Sequence, residues 1–136
     1  MTELEQISQL VEQKSAAALE LNQKIWDYAE LNFREDKSAR AIADALQAEG
    51  FTVEYGVAGV RTAFIATYGT GGPVIALLGE YDALSSLSQK AACPRPEPVT
   101  PGAPGHGCGH SLLGAGSFAA ATALKDYIDQ TGTAMT

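Results

Sequence analysis

The hydrophobic and polar positions of the chain change period twice, and each change marks a change of element. From residue 3 to residue 33 the apolar positions Leu4, Ile7, Val11, Ala18, Leu21, Ile25 and Tyr28 recur at spacings of three, four or seven. That spacing puts them along one helical face. Lys14 interrupts the stripe, so the pattern predicts one long helix or two that nearly join. Trp26, Leu31 and Phe33 widen the apolar surface and read as core. A second helix is expected to start at Ser38 as N-cap, to bury Ala41, Ile42, Ala45 and Leu46, and to stop at Gly50.

After Gly50 the period falls to two. Phe51, Val53 and Tyr55 alternate with Thr52 and Glu54, the signature of a half-buried strand. A second strand is expected over residues 61–68, closed by the turn Gly69-Thr70-Gly71-Gly72-Pro73. Val74-Ile75-Ala76-Leu77-Leu78 is a continuous apolar run, which predicts a central strand covered on both faces. It ends in the polar group Gly79-Glu80-Tyr81-Asp82. In open α/β sheets ligands bind at that edge, and Glu80 and Asp82, two apart in an extended chain, point the same way. Between Ala83 and Gly105 periodicity disappears, and five of the six prolines fall there. This long loop reads as an excursion that leaves at Asp82 and returns at residue 106, setting two polar groups side by side. Leu112 to Ile128 then resumes a helix, whose Gly114, Gly116, Ala119 and Ala120 allow close packing.

Composition narrows the function. The 136 residues suffice for one domain, and a hydrophobic share of 46% suits a folded core. A net charge of −7 disfavours nucleic acid and anionic membrane as partners. No stretch matches a membrane span or a secretory leader, which points to the cytoplasm. The two cysteines, Cys93 and Cys108, fit free thiols in a reducing compartment.

The chemistry concentrates in Gly105-His106-Gly107-Cys108-Gly109-His110, which holds both histidines of the chain. Cys108 and His110 flank one glycine, and thiolate with imidazole suits Zn²⁺ or a similar ion. Two ligands cannot close a tetrahedral structural site, so the pair reads as part of an open one. Glu80 and Asp82 could support a metal or orient a ligand histidine; the alternative is a solvated strand end.

The segments Val74–Leu84 and Pro104–His110 together resemble the M20 metallopeptidase and amidohydrolase family, in its aminobenzoyl-glutamate utilisation branch. The resemblance implies an α/β fold in which N-terminal helices precede a mixed sheet with flanking helices, as part of a zinc-peptidase-like catalytic domain. It implies a site of two divalent ions, Zn or Mn, with Cys108 and His110 as ligands and Asp82 as a supporting acid. The implied reaction is hydrolysis of an amide bond to a carboxylate-bearing moiety, such as p-aminobenzoyl-glutamate. The implied partners are a small amide or dipeptide-like substrate and a further protein chain, in a homodimer or heterodimer. Ser111 departs from the Asp or Asn usual after Cys-Gly-His. By the same resemblance, residues 1–136 are the N-terminal part of the catalytic domain, and the lid domain, the catalytic base and the later ligands lie outside them. A chain so truncated is expected to be inactive alone. The competing readings are a non-enzymatic metal-binding or partner α/β module, and a thiol protein using Cys93 and Cys108.

Overall fold

A computed structural model describes all residues from Met1 to Thr136. Helix α1 (Glu3–Gln13) and helix α2 (Ser15–Tyr28) are separated at Lys14, where the apolar stripe breaks. Thr2 and Glu5 cap α1 reciprocally, each side chain bonding the other's backbone N–H. The Lys14 ammonium reaches Glu49 at 3.1 Å and Asp126 at 2.8 Å, so the break between the first two helices is tied to two others. The outer half of the stripe is not covered: Leu4, Ile7 and Val11 remain exposed, and only Leu10 of α1 is buried.

Helix α3 (Asp36–Ala48) begins before Ser38, and Ser38 does not cap it. Ser38 is fully buried, with its hydroxyl donating to Glu30 at 2.9 Å. The Glu30 carboxylate also accepts from the backbone N–H groups of Lys37 and Ser38, at 3.1 and 2.8 Å. A carboxylate from outside the helix therefore satisfies its free donors and complements its dipole. Gly50 follows the helix with φ of +96°, the left-handed stop expected there.

Strands β1 (Thr52–Tyr55) and β2 (Phe64–Thr67) pair antiparallel, with Thr52 opposite Thr67 and Tyr55 opposite Phe64. They join through a 3-10 turn at Val57–Gly59. Helix α4 (His110–Thr131) is the longest element, and α1, α2 and α3 all pack on it. Leu21, Ile25, Ile42, Leu46, Phe51 and Phe118 make the central apolar cluster. Each such side chain contributes roughly 1.5–3 kcal/mol on burial.

The molecule is thus mixed α/β, helices first and sheet after, but its sheet has two strands. Val74–Leu78 is not the central strand that its apolar run predicts. It has no place in the ladder, and Val74 and Leu78 are 76% and 88% exposed. Its backbone has two partners: Ile75 N–H donates to Thr136 at 2.8 Å, and the Leu78 carbonyl accepts from the Ser117 hydroxyl at 2.6 Å. Between this segment and β2 lies an apolar cavity of about 530 Å³. A run with no strand beside it has nothing to complete its ladder or cover its faces.

Candidate metal centre

The site is assembled where the chain crosses α4 at close range. A Cβ at Gly114 would stand 3.1 Å from the Glu80 carbonyl oxygen and 3.1 Å from Ile42, and one at Gly79 would meet Ser117 at 3.1 Å. Glycines at both points let the backbone of residues 79–81 lie directly on the helix, one turn after its start. Tyr81 fixes the crossing by donating its hydroxyl to the Thr62 carbonyl at 2.6 Å. Burial, with Glu35 and Tyr55 nearby, pushes the Tyr81 phenol up to about 12. Ala83 N–H then donates to the Glu30 carbonyl at 2.7 Å, beside a parallel bridge between Ala83 and Leu31.

The proline-rich excursion leaves and returns at one point. Leu84 and Gly105 exchange both backbone hydrogen bonds at 3.0 Å, closing its base, and Ser88 N–H donates to Ala103 at 2.9 Å. Gly105 has room for no side chain, because a Cβ would fall 2.0 Å from the Leu87 carbonyl oxygen. The chain therefore re-enters next to where it left, as the loop reading expects.

His110 is the first residue of α4, after Gly109 in the left-handed region at φ of +78°. Its Nδ1 lies 2.7 Å from Asp82 Oδ1 and its Nε2 lies 3.1 Å from Glu80 Oε2. A carboxylate only accepts, so Nδ1–H donates to Asp82, which orients the ring with Nε2 toward Glu80. One donor atom from each of Glu80, Asp82 and His110 falls within 4.8 Å of the others. An imidazole nitrogen and two carboxylates are a donor set that suits Zn²⁺ or Mn²⁺.

The other residues of the motif stand apart. Cys108 is exposed and outside this group. Cys93 sits in the excursion, its thiol 3.4 Å from the Arg95 carbonyl and from Glu97, and neither cysteine is in a disulfide. His106 is a packing residue: it is buried, its ring stacks on Trp26 at a centroid distance of 6.1 Å, and its Nε2 lies 3.0 Å from the Ile25 carbonyl. Burial pushes its imidazole below the ordinary range, against the effect of the Ile25 carbonyl. The sequence singles out His110 only by its place in Cys-Gly-His; the structure encloses His106 against α2 and leaves His110 at the start of α4. Glu30, which caps α3 and touches the start of the excursion, has no sequence signal beyond its place just after α2.

No family model matches the chain. Over 109 residues, or 80% of its length, the chain is 56% identical to a subunit of p-aminobenzoyl-glutamate hydrolase from Escherichia coli (strain K12). The chain is therefore similar to that hydrolase component over most of its own residues, and it spans 23% of the relative's length.

Proposed function

We propose that the chain supplies the first anchoring residues of a metal-dependent, M20-like amidohydrolase centre that cleaves an amide bond to a carboxylate-bearing moiety such as p-aminobenzoyl-glutamate. The observation that carries the reading is the 2.7 Å bond between Asp82 and His110 Nδ1, in a chain this similar to a hydrolase component. His110 offers Nε2 as a ligand, and Asp82 orients the ring, as carboxylates behind metal-bound histidines do. The resemblance adds Cys108, whose exposed thiol precedes His110 by two positions. A bound Zn²⁺ or Mn²⁺ supplies a Lewis acid and a water of lowered pKa. The chain's own part is to hold the donor atoms still: Gly114 seats residues 79–81 on α4, and the closed base of the excursion keeps Asp82 against the helix start. That the relative is named as one subunit of its enzyme supports assembly with a further chain.

The test is hydrolysis of p-aminobenzoyl-glutamate by a protein of the relative's full length carrying this sequence, with and without added Zn²⁺ or Mn²⁺. Activity is expected to vanish on chelation and return with metal, and His110→Ala is expected to lower kcat by at least about 100-fold. An enzyme indifferent to both would end this reading. The isolated 136-residue chain is expected to show no turnover.

A further inference from the structure

We infer that Glu80 is a direct metal ligand, opposite His110 Nε2, at the centre proposed above; the inference rests on that reading and adds to it a donor which the Cys108–His110 motif does not contain. With Nδ1–H committed to Asp82 at 2.7 Å, Nε2 presents its lone pair. The group facing that lone pair is a carboxylate oxygen of Glu80, 3.1 Å away. Two electron-rich atoms at this distance need a cation between them, which is either a second ring proton or a metal ion. Ligand atoms about 2.1 Å from a tetrahedral ion stand about 3.4 Å apart, close to the separation found. Glu80 and Asp82 thus divide their work: Asp82 lies behind the ring and Glu80 lies in front of it. Both carboxylates reach the one ring because residues two apart in an extended chain share a side, and the crossing over Gly114 holds residues 79–81 in place. Glu80 is 64% exposed at its side chain, so its carboxylate remains accessible to an incoming ion and to further ligands.

Cobalt(II) reports both affinity and donor set, and the test titrates it into the intact 136-residue chain, its Glu80→Gln variant and its His110→Ala variant. Circular dichroism confirms that each is folded. Glu80→Gln is expected to weaken cobalt binding at least about 10-fold and to shift the visible d–d band of the bound ion, because one anionic oxygen leaves its shell. Unchanged affinity in Glu80→Gln, with binding still lost in His110→Ala, would overturn the ligand role and leave the metal centre standing. Weakened affinity with an unmoved band would also overturn it, making Glu80 a positioning residue. Failure of the unmodified chain to bind cobalt(II) at millimolar concentration would overturn this inference, while chelation of the full-length protein decides the metal reading itself.

Discussion

Val74–Leu78 and Gly79–Asp82 form one uninterrupted run of chain, yet α4 holds the second part and barely touches the first. The apolar part has the stronger sequence signal and the weaker structure. Ile75, Leu77 and Leu78 face solvent or the open cavity beside β2, and one side-chain bond, Ser117 Oγ–H to the Leu78 carbonyl at 2.6 Å, ties the segment to the helix. The polar part has the weaker signal and is fixed at Gly79, Tyr81 and Asp82. Gly79 and Gly114 set the crossing, Tyr81 reaches Thr62, and Asp82 reaches His110. Hydrophobicity alone does not place a strand. It supplies a driving force, and the backbone still needs neighbours to satisfy its N–H and C=O groups. A short polar segment with specific partners can be more firmly positioned than an apolar one without them.

The largest effect should come from breaking the crossing. Gly114→Leu places carbon where the Glu80 carbonyl and Ile42 already stand, and is expected to cost about 3 kcal/mol. Urea unfolding measures that loss. His110 in the same variant should lose the Asp82 bond, visible as a shift of its ring signals in NMR. Unfolding at wild-type stability would mean that the polar part is not held by the helix.

Lys14 probes the platform itself, since it joins the α1–α2 break to α3 and α4 through Glu49 and Asp126. Lys14→Ala is expected to cost about 2 kcal/mol, because it leaves two carboxylates facing each other without their cation. The pH dependence has a definite sign. Burial opposes the Lys14 charge, but bonds to Asp126 and Glu49 prevail and raise its pKa above the ordinary value. Its contribution is therefore complete below the unfolded lysine pKa and is lost as pH rises through the folded one. Asp126 is held below its ordinary value despite burial, by Lys14 and Lys125. Its share is present above the unfolded aspartate pKa and is lost as pH falls through the folded one. Thermal melts of wild type and Lys14→Ala should converge at both extremes of pH. A constant difference in Tm from strong acid to strong alkali would contradict the assignment.

Smaller effects are expected in the apolar part. Ser117→Ala removes its bond to Leu78, at about 1 kcal/mol, and should speed amide exchange near Leu78 without moving the Asp82–His110 bond. Leu78→Ser, at a side chain 88% exposed, should change stability by less than about 0.5 kcal/mol. A cost of several kcal/mol in urea would show that this residue is covered in solution, and would erase the contrast between the two parts.

What the sequence determined by itself was local. The 3.6-residue period of α3, the two-residue period of β1, the stop at Gly50 and the break at Lys14 all follow from side chains acting on their own stretch of backbone. The loss of periodicity between Ala83 and Gly105 marked a loop read as returning beside its start, and packing brought Asp82 against His110. The tertiary structure decided which partner each group met. It made Glu30, not Ser38, the cap of α3, enclosed His106 while leaving His110 at a helix start, and set Glu80 before Nε2 with Cys108 outside the group. It also left Val74–Leu78 outside the ladder. Periodicity records how one segment meets a surface; strand pairing and ligand geometry depend on atoms from segments distant in sequence, and only their packing brings those together.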